Sequence, residues 1–364
     1  MSPADSYRIA YYITGHGFGH AARSRAIIDL LAARGVTVYV RTGADPKFFA
    51  DVPGVRLHRE QFDVGSIQRD GLNVDVRATL EAYADLLPRQ EEVVAREAAL
   101  LREEGVRLVV SDIVPVAFEI AAAAGLPSIA ASHFTWDWIY EPYIQAYPQY
   151  AYLRQAIREN YGKASLALQM PFAHEFDQFR VVEPIPLVVR ALTQSRQEVR
   201  MAFEVPAGDR LAVLSMGGMD WGGTPLEALA AKAGWVFVLP PDMAALAADT
   251  PNFRTVPATY QGFHNLTAAA DLMIAKAGGV TVSECIAYRT PLLCTFRNDF
   301  REDELLRPAL ARYAHARTFD KDEFEQGAWI ALIDSFVAEE ARWEPIDTGG
   351  AAVATEKIMS WLGI

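Results

Sequence analysis

Two histidines sit in a glycine-spaced run, Thr14-Gly15-His16-Gly17-Phe18-Gly19-His20, and an aspartate, Asp112, closes the apolar run Val109-Val110-Ser111. An imidazole that titrates near neutrality, with its ring oriented by a carboxylate, is the equipment of a general base. His20 and Asp112 form such a pair if both runs end parallel strands of one sheet, because both side chains then leave the same edge. A helix cap ahead of Pro115 is the plainer reading of Asp112. Glycines at alternate positions permit a tight turn and close approach of a ligand to the backbone. Gly17, Gly19 and His16 are therefore candidate substrate contacts, although the histidines could equally be satisfied by local hydrogen bonds. The spacing Gly-x-Gly-x-Gly differs from the Gly-x-Gly-x-x-Gly of dinucleotide-binding folds.

The second half carries different chemistry. The loop at 215–223 contains Gly217 and Gly218, and Lys276-Ala-Gly278-Gly279-Val-Thr281-Val-Ser-Glu284 runs from an apolar stretch through a Gly-Gly turn into a helix expected to start near Thr281. Free N–H groups at a helix start attract phosphate, and Lys276 adds a cation. Glu284, one turn further on, could accept from the two hydroxyls of a ribose. The competing reading is a capping arrangement in which Thr281 serves the helix and Glu284 complements its dipole. Gln261 joins these nucleotide-binding candidates. Asp303 and Glu304, after the next apolar run, suit sugar hydroxyls or else begin an exposed helix. In the first half, Trp136 and Asp137 in an aromatic segment, and Asp63 near Gly65, are further substrate-binding candidates; the aromatic segment could also be plain core.

These residues need a scaffold that brings strand ends together. The first half alternates strand-like runs (8–14, 36–41, 107–110, 128–132) with helical stretches at 21–34, 77–104 and 115–124, two of them closed by Gly35 and Gly125. The second half restarts the alternation, with strands expected at 210–215, 235–239, 253–256, 272–275 and 291–296 and helices at 226–233, 266–270 and 281–288. Such alternation means βαβ units and parallel sheets. The expected organisation is two Rossmann-like α/β domains, residues 1–195 and 196–350, with a closing helix in 351–364 that crosses back to the first. Right-handed crossovers put all strand C-termini on one edge, where ligands bind. Two such edges would face an interdomain cleft.

With 364 residues, 51% of them apolar and 22% charged, each half can bury its own core. The net charge of −12 and the lack of a basic stripe argue against nucleic acid as a partner. The most apolar region, 108–131, is broken by Asp112, Pro115, Glu119 and Pro127 and cannot span a membrane. Cys285 and Cys294 read as buried thiols; together with the lack of a signal peptide, they point to the cytoplasm. No Asp-x-Asp motif suggests a metal, and no cofactor is expected beyond the co-substrate.

The layout resembles the GT-B glycosyltransferase superfamily. The stretch from Gly278 to Glu284 is similar to the UDP-binding turn of the bacterial N-acetylglucosaminyltransferase that completes the lipid-linked peptidoglycan precursor, whose acceptor-side loop also ends in Gly-His, as Gly19-His20 do. A closer resemblance is to the glycosyltransferase-like N-terminal region of L-arabinokinases and related bacterial proteins. It is carried by 11–23, Val110-Ser-Asp-Ile-Val-Pro-Val116, Phe134-Thr-Trp-Asp-Trp-Ile-Tyr140 and Thr281-Val-Ser-Glu-Cys-Ile-Ala-Tyr288. Plant transferases acting on small acceptors pair a His after the first strand with an Asp at the end of a later one, and His20 and Asp112 match those positions. There are departures. No Gly-x-x-x-x-Gly-Lys-Ser/Thr loop occurs, the long nucleotide signature of the plant enzymes is not intact, and Thr295-Phe296 stand where a strand-end proline is usual.

The resemblance implies inverting, metal-independent transfer of a sugar from a nucleotide diphosphate sugar, UDP-linked, to a hydroxyl of a small molecule or glycan. Rival readings on the same fold are a nucleotide-sugar hydrolase or 2-epimerase, and a non-catalytic regulator that binds a nucleotide sugar. The donor, the acceptor and the oligomeric state are not legible in the sequence.

Overall fold

The computed structural model describes residues 7–217, 221 and 224–364. Gly218 lies outside the described residues. The chain forms two compact units. Unit 1 holds the residues up to Ile67, Asp75–Val189 and Asp347–Ile364, and unit 2 holds Gln68–Val74 and Arg190–Ile346. The chain thus passes between units at 189/190 and 346/347 rather than at 195/196 and 350/351, and it makes an early excursion that the sequence reading lacks.

Unit 1 is built on seven strands: β1 (Arg8–Ile13), β2 (Thr37–Thr42), β3 (Val55–Arg59), β4 (Leu108–Asp112), β5 (Ser128–Ser132), β6 (Leu166–Gln169) and β7 (Val182–Pro184). They are paired in parallel in the order β3-β2-β1-β4-β5-β6-β7. The order reverses between β1 and β4, so the loops after these two neighbours part to opposite sides and leave a crevice at their C-terminal ends. Alternate residues of the central strands serve two cores. Ile9, Tyr11, Leu108 and Val110 pack on one face, and Ala10, Tyr12 and Val109 on the other. This two-sided burial is why β1 and β4 read as continuous apolar runs. The helix Gly350–Leu362 packs against the helix Gly19–Ala33 and inserts Ala354, Ile358 and Leu362 into the first of these cores. Gly350 N–H donates to the Leu187 carbonyl, and a Cβ at Gly350 would collide with the Pro186 backbone.

Unit 2 has six parallel strands: β8 (Arg210–Ser215), β9 (Trp235–Leu239), β10 (Phe253–Thr255), β11 (Leu272–Lys276), β12 (Leu292–Thr295) and β13 (Ala316–Phe319). Their order is β10-β9-β8-β11-β12-β13, with the same reversal, here between β8 and β11. Its core gathers Leu214, Trp235, Phe237, Ile274 and Trp329, and it takes in Leu72 from the early excursion. Asn73 pairs with Asn298 in the same unit.

Several expected elements are corrected. The long helix at 77–104 is two helices, Val76–Leu86 and Gln90–Glu103, with a 3-10 turn at Leu87–Arg89 between them. Pro88 lacks a donor and crowds the carbonyl four residues back, so the helix resets there. Leu226–Ala231 is a 3-10 segment, not an α-helix, and the helix expected at Thr281 starts at Gly279. Among the described residues no helix is long and apolar enough to cross a membrane.

Candidate active site

In unit 1 the register pairs Ile13 with Asp112, and Thr14 N–H donates to the Asp112 carbonyl at 2.8 Å, so the strands flanking the crevice end level. Gly17, at φ +64, turns the chain in a backbone region that favours glycine, and the helix begins at Gly19, two residues before the expected start. His20 therefore lies in the first helical turn, with its ring turned to β4. Its Nδ1 lies 2.8 Å from Asp112 Oδ1, and both residues are buried. Arg23, on the same face of the helix, sends Nε to Asp112 Oδ2 at 2.9 Å and Nη2 to Oδ1 at 2.5 Å, and the Ser24 hydroxyl donates to Oδ2 at 3.1 Å. Burial alone would raise the Asp112 carboxyl, but the Arg23 guanidinium and the His20 ring hold it well below the usual carboxylate range. An ionised carboxylate only accepts, so the hydrogen-bond network assigns a hydrogen to His20 Nδ1 and leaves Nε2 with the lone pair a base requires.

Aromatic rings pack around this pair. The His20 ring meets Phe134 edge-on at 5.4 Å and lies 6.3 Å from Trp136, which also packs edge-on against His16 at 5.5 Å. Trp136 is fully buried, so it forms a wall behind both histidines rather than an open stacking platform. Its indole N–H donates to Asp63 Oδ2 at 3.0 Å. Burial raises the Asp63 carboxyl to about 6 against the pull of Thr14, His20 and Trp136. His16 Nδ1 accepts from Ser66 N–H at 3.2 Å, beside Gly65. Asp137, next to Trp136 in sequence, turns instead to Arg158 at 3.0 Å and is not gathered with His20.

In unit 2, Ser215 and Ala275 pair at the ends of β8 and β11. Gly217, at φ +68, turns the chain in a backbone region that favours glycine, and the Lys276 ammonium lies beside it, 3.7 Å from where a Cβ would stand. Gly278 is the extended cap of the helix Gly279–Tyr288, and a Cβ at Gly278 would meet open space. Thr281 is half-buried in the first turn of this helix. Burial, aided by Arg297, lowers the Lys276 ammonium to about 7 against the pull of Glu302, Asp303 and Asp70. Glu284 is buried and takes Arg190 Nε and Nη2 on its Oε1, each at 3.1 Å. Arg190 Nη1 also reaches the carbonyl of the exposed Gln261 at 3.5 Å.

The acidic run divides according to helix phase. Asp303 is buried with neither carboxyl oxygen in a hydrogen bond of good geometry, and burial raises it to about 7 despite Arg297 at 3.9 Å. Glu304 is exposed beside Arg301. The acid that joins Asp303 is Glu302, whose Oε1 accepts from Gly279 N–H at 3.1 Å while Oε2 pairs with Arg297. Among the described residues one His/carboxylate group has metal-ligand spacing, His58, Glu60 and Glu97, but Arg96 and Arg41 already pair with its carboxylates.

Sequence reasoning missed Arg23, His133, Arg297 and Glu302. Arg23 has a visible signal, since it follows His20 by three residues at helical spacing. His133 directly follows β5, one strand over from β4, and its Nδ1 accepts from Arg23 Nη1 at 2.6 Å.

No protein-family model matches the chain. Over 363 residues it is 33% identical to the L-arabinokinase of Arabidopsis thaliana, and the match covers 95% of this chain. The chain spans 33% of the length of that relative. Among solved structures, the glycotransferase of kitacinnamycin superimposes with a TM-score of 0.61 at 16% identity, covering 97% of this chain and 98% of that one. A UDP-glucosyltransferase from Polygonum tinctorium capable of glucosylating indoxyl gives 0.59 at 11% identity, covering 98% and 99%. The chain has the GT-B fold, with two Rossmann-like parallel-sheet domains of seven and six strands.

Proposed function

We propose that the protein is a glycosyltransferase that moves a sugar from a nucleoside diphosphate sugar, UDP-linked, to a hydroxyl of a small-molecule or glycan acceptor, with inversion at the anomeric carbon. The observation that carries this reading is the buried His20–Asp112 pair at the strand-order reversal of unit 1. His20 Nε2 takes the acceptor proton as the acceptor oxygen bonds to the anomeric carbon. The bond from that carbon to the diphosphate oxygen breaks, and the diphosphate leaves with the electron pair. Unit 2 supplies the donor site. Gly217, the Gly278-Gly279 turn and Thr281 hold the diphosphate, which displaces the Glu302 carboxylate from the Gly279 N–H; Lys276 offsets its growing charge, Glu284 and Gln261 face the nucleoside, and Asp303 faces the sugar. Helix N–H groups and Lys276 do the work for which other transferases use a metal, and no cofactor or nucleic acid enters the scheme.

The deciding experiment is a thermal-shift screen against nucleotides and nucleotide sugars, followed by product analysis with and without acceptors. A UDP-sugar should raise Tm, and transfer should appear only with an acceptor. Free sugar formed without an acceptor would favour hydrolysis, an epimerised nucleotide sugar would favour a 2-epimerase, and binding without turnover would favour a regulator.

Lys276 adds a pH signature. Its ammonium titrates at about 7 in the free protein, and the protonated form is the one that attracts a diphosphate. UDP-sugar affinity should therefore fall about tenfold between pH 6 and pH 8. Calorimetric titration should show that slope in the wild type and a distinctly shallower one in Lys276→Met, where only Asp303 still titrates near 7 in the donor site. A nucleotide sugar is the right probe because its diphosphate diester keeps its charge across this range.

A further inference from the structure

The proposed transfer leaves one buried charge at the site without a task. Arg23 is only 6% exposed, and it grips Asp112 with both Nε and Nη2. The His20 Nδ1–H and Arg23 Nη2 converge on the same oxygen, Oδ1, which places these two nitrogens 3.1 Å apart. The third nitrogen of the fork, Nη1, is fixed on His133. The guanidinium thus has little freedom, and its charge stands beside the ring.

In a plain His–carboxylate pair the lone carboxylate stabilises the imidazolium. Here a cation matched to that carboxylate stands 3.1 Å from the ring nitrogen, against 2.8 Å for the carboxylate. We propose that Arg23 is a positioning residue for His20: by neutralising Asp112 it keeps the carboxylate as an orienting acceptor for the ring while removing its pull on a proton at Nε2. The proposal rests on the reading of His20 as the base. The other titratable groups around the ring are His133 after β5, His16 in the preceding loop and Asp63 after β3. They are common to every variant below, so differences between variants report on Arg23 and Asp112.

The test follows the His20 ring by NMR titration, with its signal assigned by loss in His20→Ala. The ring titration needs no turnover, so it gives an answer even if the protein transfers no sugar. Arg23→Gln leaves Asp112 unopposed and should move the His20 midpoint upward by at least about one pH unit. Arg23→Lys keeps the charge without the fork and should recover most of that shift. Asp112→Asn leaves Arg23 unopposed and should move the midpoint downward, a sign reversal that loss of packing does not produce. Where transfer is measured, the acid limb of kcat/KM should follow the same shifts. A His20 midpoint unchanged in Arg23→Gln, or a fall in kcat/KM by one factor at every pH, overturns the proposal. Should Arg23→Gln not fold, Arg23→Met takes its place, with the same rise expected and an unchanged midpoint having the same consequence.

Discussion

Replacing His20 by Ala is expected to lower kcat for sugar transfer by about 10²- to 10⁴-fold, the range of a positioned general base. Donor affinity should not change, because Lys276, Gly278 and Glu284 belong to unit 2 and His20 to unit 1. The fold should also survive. Asp112 loses one of its donors but keeps both arms of Arg23 and the Ser24 hydroxyl, so the cost is that of one hydrogen bond, about 1 kcal/mol. Steady-state rates with a calorimetric Kd for the donor separate these effects. Undiminished turnover in His20→Ala would remove the base assignment and leave the donor site standing.

Asp112→Ala should show the reverse balance, with loss of fold as well as of rate. Removing the carboxylate strands the Arg23 guanidinium in a buried site beside His20 and His133, at a cost of about 3–5 kcal/mol. Urea denaturation read by tryptophan fluorescence would report it, since Trp136 packs against His20. The pH dependence has a definite sign. The Asp112 carboxyl is held below its unfolded value, so its contribution is fully present above that value, about 4, and fades as the pH falls below it. Asp63, raised to about 6, and Asp303, raised to about 7, act oppositely: the unfolded chain holds fewer protons there, so stability declines between about pH 4 and those values as pH rises. The acid-side loss should therefore be shallower in Asp112→Ala than in the wild type, and equal slopes would count against the ion-pair account.

The central strands and glycine turns were legible because burial on both faces leaves an unbroken apolar run and positive φ demands glycine. Of the four edge strands only β10, expected at 253–256, was. β3 reads Val-Arg-Leu-His-Arg and is largely exposed, so its alternation carries charge rather than a core signature. The His20–Asp112 juxtaposition follows from strand order, which βαβ alternation suggests. The role of Arg23 does not, because an arginine at helical spacing ordinarily points to solvent. The acids after β12 show the limit of counting along a chain. One residue is a rotation of about 100° on a helix, and that rotation turns Glu302 and Asp303 inward and Glu304 outward. Trp136 and Asp137 look like neighbours in one pocket wall, but the same rotation sends one toward His20 and the other toward Arg158.

The return of Asp347–Ile364 to unit 1 sets an order of events during synthesis. Ala354, Ile358 and Leu362 complete a core that begins at Ile9, and the helix carrying them packs on the helix that presents His20. Unit 1 cannot close that core until these residues have left the ribosome, by which time every residue of unit 2 has emerged. The usual sequence, in which the first-made domain folds first, is inverted here: the nascent chain must carry an unfinished His20 domain past a unit free to fold.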